Sequence, residues 1–267
     1  AVGYQAGRYV TTGDNNVFIG KQAGDAITTG FKNVAIGDSA LSSDDVGAGH
    51  IAIGGNALVN QNFASVNNEF EANISIGNKS SHNNTTGNMN VVIGTAAKYS
   101  DDEGNQTTAI GHQAMYSQNM ASSTTTGNVG VGHKVGYHNV TGTNNTWLGY
   151  QAGLGASGNS NSSNVGIGYS ALTAITTGGS NVAIGDSAGD TITTGTQNVL
   201  IGKDAGGGSN MASVSDNVLI GHQAGISNGQ SENTFVGHQA GYNTNAAGNT
   251  FLAVSYTHLT LPTTKQV

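Results

Sequence analysis

Four histidines occupy one recurring slot in this chain, directly after a glycine: His112, His133, His222 and His238. If three chains met side by side, each would contribute to a ring of three imidazoles, a ligand set suited to a transition metal. The same slot also holds Tyr4, Lys21, Asp38, Tyr150, Tyr169, Asp186 and Lys203. A slot that accepts cations, an anion and phenols predicts a solvated surface, so no metal and no cofactor are expected. Glycoside cleavage would need two carboxyl groups held at a fixed separation. The acidic clusters are Asp44-Asp45, Glu69 with Glu71, and Asp101-Asp102-Glu103, all in corners or insertions where adjacent acids are usually solvated. The glycines are spaced as turn residues and not as a phosphate-binding fingerprint. The aspartate-rich nonapeptide of calcium-binding β-rolls does not occur. The chain has no cysteine, hence no thiolate ligand and no disulfide framework. A non-enzymatic protein is expected.

The element that positions these residues is a five-residue phrase, roughly Asn-Val-x-Ile-Gly, seen as Asn16-Val17-Phe18-Ile19-Gly20 and Asn181-Val182-Ala183-Ile184-Gly185. Its closing glycines fall at 3, 20, 37, 54, 77, 94, 111, 132, 149, 168, 185, 202, 221 and 237, mostly 17 residues apart. So short a period predicts a solenoid in which each repeat is one coil. A small residue follows three positions after the glycine (Ala23, Ala40, Ala188), as a second, shorter strand packed against the first would require. A polar corner comes next, often Thr-Thr-Gly, where glycine can take a positive φ. Ice binding by rows of threonine is not expected, because other coils carry Asp101-Asp102-Glu103-Gly104 or Ala246-Ala247-Gly248 there. The asparagine that opens nearly every phrase, His50 and Thr107 being the exceptions, reads as structural, either laddering its amide between coils or taking a left-handed backbone at the corner. At about 4.8 Å per coil, some fourteen coils give a rod roughly 65–70 Å long.

Composition agrees. Only 9% of the 267 residues are charged and glycine supplies 42, which argues against a helical solenoid. Periodic β-branched residues argue against disorder. A net charge of −7 argues against a nucleic-acid groove. No apolar run is long enough to span a membrane as a helix.

Side chains alternate between the faces of a strand, so the Val and Ile positions share one face and the middle position takes the other. The expected coil core is the β-branched face: Val17, Ile19, Val34, Ile36, Val182, Ile184, Val218 and Ile220. The middle stripe then points outward, yet it carries no charge and includes Phe18, Trp147, Leu200, Leu219 and Phe235. An outward stripe of that kind predicts burial against other chains. Extra length appears around 58–72, 115–127, 153–163 and 206–216. Asn62, Phe63, Tyr116 and Gln118 in these insertions are candidates to contact a ligand such as a host-surface glycan or protein.

The Asn-Val-Ala-Ile-Gly phrase, with its small residue and glycine-rich turns, resembles the head repeats of trimeric autotransporter adhesins. The longer period and the Gly149-Tyr150-Gln151-Ala152-Gly153 variant resemble repeat regions of tail-fibre-like proteins. The resemblance covers residues 1–252. It implies an all-β, left-handed parallel β-roll whose three chains pack along a common axis. It also implies an extracellular adhesive or structural rod on a bacterial cell surface or a virion. A homopolymeric filament built from stacked coil ends and a polysaccharide-degrading tailspike are the competing readings.

The chain begins inside a repeat, without an initiator Met, and its last phrase stops at Asn249-Thr250-Phe251-Leu252, one residue short of its glycine. Residues 253–267, which hold the single proline Pro262, resemble the translation of a transposase-type sequencing adapter. The expectation is one repeat array over 1–252, a non-native tail after it, and a natural protein longer in both directions.

Overall fold

The computed structural model describes residues 1–63 and 72–252. The phrase ending at Gly3 makes only an isolated bridge, Val2 to Ile19. Each later phrase forms one three-residue strand, fourteen among the described residues in chain order: β1 Val17–Ile19, β2 Val34–Ile36, β3 Ile51–Ile53, β4 Ile74–Ile76, β5 Val91–Ile93, β6 Thr108–Ile110, β7 Val129–Val131, β8 Thr146–Leu148, β9 Val165–Ile167, β10 Val182–Ile184, β11 Val199–Ile201, β12 Val218–Ile220, β13 Thr234–Val236 and β14 Thr250–Leu252. They stack in sequence order into one parallel sheet, a parallel β-solenoid. Pairing is in register throughout: Val17 faces Val34, Phe18 faces Ala35 and Ile19 faces Ile36, and so on to β14. Coil n is the repeat that carries strand βn.

The expected second strand does not form. After each glycine the described chain runs through turns, because two positions per coil take left-handed dihedrals, as Gln22 (φ 55°) and Gly24 (φ 56°) do in the first. Coil-to-coil hydrogen bonds persist on that side, for example Gly24 N–H to the Ala40 carbonyl at 2.9 Å. The closing glycines are dictated by contact as well as dihedral. At Gly185 φ is 141°, and a Cβ there would lie 2.5 Å from the Gly202 carbonyl oxygen of the next coil.

The two faces of the strand are the reverse of the sequence expectation. Phe18, Trp147, Leu200, Leu219 and Phe235, expected to join chains, are buried inside the coil, each at most 3% exposed. Val17, Ile19 and Ile184, expected in the core, are 45%, 43% and 36% exposed, and Val34, Ile36, Val182, Val218 and Ile220 are half-buried. The reason is width. A three-residue strand in so narrow a coil admits one inward side chain, and the middle residue takes that place. It meets the alanine three positions after the glycine (Ala23, Ala40 and Ala188 are fully buried) and the residue after that alanine.

That last residue compensates for the middle one. Where the middle is large the partner is glycine, as in Phe18 with Gly24, Trp147 with Gly153 and Phe235 with Gly241. In four coils with a small middle residue the partner is large: Ala35 with Leu41, Ala52 with Leu58, Ala109 with Met115 and Gly166 with Leu172. Coils 7 and 10 pair small with small, Gly130 with Gly136 and Ala183 with Gly189, and there large side chains of adjacent coils close the space, Trp147 against Gly136 and Leu172 and Leu200 against Gly189.

The asparagine ladder closes each coil. Asn181 Nδ2 donates to the Gly195 carbonyl at 2.9 Å, and its Oδ1 accepts the Asn198 backbone N–H at 3.1 Å. The same pair of contacts recurs at Asn33, Asn90 and Asn128. The corner before each asparagine is turned by a left-handed residue such as Lys32 or Ser180. The corner threonines bond upward to the next coil, Thr28 Oγ1 to the Asp45 carbonyl at 3.1 Å, instead of presenting a flat hydroxyl row.

Candidate assembly and contact surfaces

With the middle residues inside, the Val/Ile face points outward as two parallel columns. One runs from Val17 through Val34, Ile51 and Ile74 to Thr250, the other from Ile19 through Ile36, Ile53 and Ile76 to Leu252. Neither column contains a charged residue. Thr108, Thr146, Thr234 and Thr250 are the only polar members. Fourteen strands at about 4.8 Å make the face about 60 Å long, and residues two apart put the columns about 7 Å from each other. With side-chain girth the face covers on the order of 600 Å², at the top of the range for the largest apolar patch on a monomer.

The slot after the glycine is exposed at His112, Tyr150, Tyr169, His222 and His238 and half-buried at His133, and its rings stack. His112, His133, Tyr150 and Tyr169 form one ladder, with centroids 5.3, 5.0 and 5.3 Å apart. A second ladder, four residues further along each coil, joins His82, Tyr99, Tyr116 and Tyr137 at 4.8, 5.1 and 5.0 Å. Both follow from parallel in-register pairing, which places each slot directly above its equivalent. Each such ring pair adds roughly 0.5–1.5 kcal/mol beyond area burial. His222 and His238 stack separately at 5.1 Å. Among the described residues, no group of three His, Cys, Asp or Glu could hold a metal.

The candidate ligand residues are dispersed. Asn62 is exposed, Phe63 is half-buried and stacks on His50 at 5.5 Å, and Tyr116 stands inside the second ladder. Gln118 is not available to a ligand. It is buried, and its Nε2 donates to Asp101 Oδ2 at 2.6 Å and Thr107 Oγ1 at 3.1 Å. The acidic pair Glu69 and Glu71 lies outside the described residues.

Asp44 and Asp101, assigned to solvated corners by sequence, are in fact interior. They belong to an inward column seven residues after the glycine: Ile27, Asp44, Gln61, Asn84, Asp101, Gln118 and Asn139, then Ile175 and Ile192. Asp44 Oδ2 lies 3.6 Å from Nε2 of His50, which stands in the asparagine column and accepts the Asn73 N–H on Nδ1 at 3.0 Å. That bond leaves the imidazole hydrogen on Nε2, facing Asp44. Burial pushes the Asp44 carboxyl up to about 6 and His50 down to about 4, so both favour their neutral forms. Further along the column Asp101 is paired with the fully buried Lys98, four residues after its glycine, Nζ to Oδ2 at 3.0 Å.

No family model matches the chain, and no curated protein or solved structure is similar to it.

Proposed function

We propose that this protein is an extracellular structural and adhesive rod whose chains associate through the Val/Ile face. One observation carries the reading: a continuous uncharged face, aliphatic except for four threonines, runs the whole length of the described array. Its occupant is a second copy of the same chain. A face of this size approaches the ~800 Å² per partner of a standard interface, and flat sheets pack face to face about 10 Å apart. A partner with the same in-register columns is complementary along the entire length. The resemblance to adhesin head repeats supports three chains about one axis, with the aromatic ladders and corner loops left outward to meet a host-surface glycan or protein. Placement on a bacterial surface or a virion rests on that resemblance.

Sedimentation equilibrium across a range of concentrations tests the reading. A fixed oligomer, three chains in the first instance, is expected. A monomer at every concentration overturns it. Fibres that lengthen with concentration would instead identify end-to-end stacking.

A further inference from the structure

In the slot after the buried alanine, where other coils place Leu41, Leu58, Met115 or Leu172, coil 5 carries Lys98. Its ammonium is wholly enclosed and has three oxygen neighbours: Asp101 Oδ2 at 3.0 Å, the Gly104 carbonyl at 3.1 Å and Asn84 Oδ1 at 3.3 Å. Asn84 belongs to coil 4 and is also fully buried. Its carboxamide is fixed by Nδ2 donating to Gln61 Oε1 and to the Gly87 carbonyl. Asp101 is fixed by Gln118 Nε2 and by the backbone N–H groups of Gly104 and Met120. An amine, a carboxamide and a carboxylate are thus held together in a site without water access. We propose that Lys98 and Asn84 condense into an isopeptide bond between coils 4 and 5, with Asp101 carrying the proton.

The chemistry balances. Lys98 passes one ammonium proton to Asp101, and the free amine attacks Asn84 Cγ. The new C–N bond forms as the carboxamide C–N bond breaks. A second proton from the attacking nitrogen goes to the departing nitrogen, which leaves as ammonia, and Asp101 keeps the first. Nothing is oxidised or reduced. Burial pushes the Lys98 amine down, toward its nucleophilic neutral form. Burial alone would raise Asp101, but the Lys98 charge and the hydrogen bonds hold it below its usual range. The ion pair is therefore the resting state, and the reaction proceeds through the minor neutral pair. Fixed geometry supplies the effective concentration that an ordinary lysine and asparagine lack. Loss of ammonia makes the step irreversible, and the product replaces two buried charges by a neutral amide and a neutral acid, removing a costly burial.

Intact-mass and tryptic analysis of the purified chain decides the matter. The expected mass is lower than that of the sequence by one ammonia. Trypsin cuts the unmodified chain after Lys79, Lys98 and Lys134. An acylated Lys98 resists cleavage, so residues 80–134 should appear as one peptide lacking one ammonia, with fragment ions placing the link between Asn84 and Lys98. Asp101→Asn should restore both the full mass and cleavage after Lys98. A wild-type chain of full mass overturns the proposal. So does a loss of ammonia with Lys98 still cleaved, which marks a backbone succinimide, or a loss of water, which marks a Lys98–Asp101 lactam. Bond formation in Asp101→Asn would refute the assigned role of Asp101.

Discussion

Replacing one inward and one outward residue should separate folding from assembly. Trp147 is 1% exposed and is surrounded by glycines 136, 153 and 166, whose added Cβ atoms would fall 3.0, 2.5 and 2.6 Å from its ring. Trp147→Ala removes the indole, and none of those glycines has a side chain with which to fill the space. Truncation of a buried aromatic costs about 3–5 kcal/mol, and so poorly collapsible a site belongs at the upper end. The indole N–H has no hydrogen-bond partner, so the cost comes from lost packing alone. Ile184→Lys, by contrast, changes a residue 36% exposed on the outer face and should alter single-chain stability by no more than about 0.5 kcal/mol. It places a cation on every copy of the proposed interface, so association should fall steeply. Trp147 is the single tryptophan, and its emission reports the coil interior directly. At chain concentrations low enough to dissociate the wild type, denaturant unfolding followed by that emission should be nearly unchanged for Ile184→Lys, while sedimentation at higher concentration shows the oligomer lost. Trp147→Ala, followed by circular dichroism, should show the reverse. If Trp147→Ala kept its unfolding midpoint and lost association, the inward assignment of the middle column would be refuted.

Asp44→Asn should expose a pH dependence that the wild type hides. The raised Asp44 pKa contributes stability present below about pH 4 and lost as pH rises through about 6, whereas the lowered His50 pKa contributes stability present above about 6.5 and lost as pH falls toward 4. Each shift of somewhat more than two units is worth about 3 kcal/mol, so the two slopes nearly cancel between pH 4 and 6.5. The variant should gain about that much stability over this range relative to wild type, and parallel denaturation curves at pH 4.5 and 7 would contradict it. Asn181→Ala should cost about 3 kcal/mol, because it strands the buried Asn198 N–H and the Gly195 carbonyl; an unchanged thermal midpoint would remove the asparagine column from the account. Gly158→Ala has open space and a positive φ, so it should cost roughly 1–2 kcal/mol, whereas Gly185→Ala adds a collision with the next coil and should cost clearly more. Equal melting temperatures for those two variants would show that coil contact does not select the closing glycine.

The solenoid was legible because the period of the phrase fixes strand stacking and register without tertiary information. Which face lies inside was not settled by the phrase. Alternation divides Val17 and Ile19 from Phe18, but it does not say which set is enclosed. β-Branched residues also suit an outward sheet face that meets another sheet. The deciding signal was present elsewhere in the chain, in the reciprocal sizes of Phe18 with Gly24 and Ala35 with Leu41, since only residues sharing one cavity need to compensate. The interior acids were missed for a related reason. Asp44 and Asp101 look like turn residues locally, and only alignment with Ile27, Ile175 and Ile192 in the same slot reveals them as inward. The aromatic ladders needed no more than the slot assignment, because parallel register turns a repeated sequence position into a column.

The interior of the rod is discontinuous, and the discontinuity falls where the proposed covalent bond would lie. One apolar cluster runs from Phe18 to Leu58, and another begins at Val92 and Ala97 and extends to Phe235 and Ala240. Coil 4 separates them, with Ser75, Ser80, Ser81 and Asn84 in the inward slots that hold apolar residues in coil 2 or coil 10. Ser75 Oγ donates to Ser80 Oγ at 2.9 Å and Ser80 Oγ to the Gly77 carbonyl, while the buried Ser81 hydroxyl has no partner, and the three add little hydrophobic stabilisation. In a solenoid each coil contacts its two neighbours alone, so a coil with a polar interior is the natural place for the array to part. A side-chain link from Asn84 to Lys98 spans the boundary between coil 4 and the second apolar cluster. In a chain without cysteine, that junction is where a covalent tie between coils would add most.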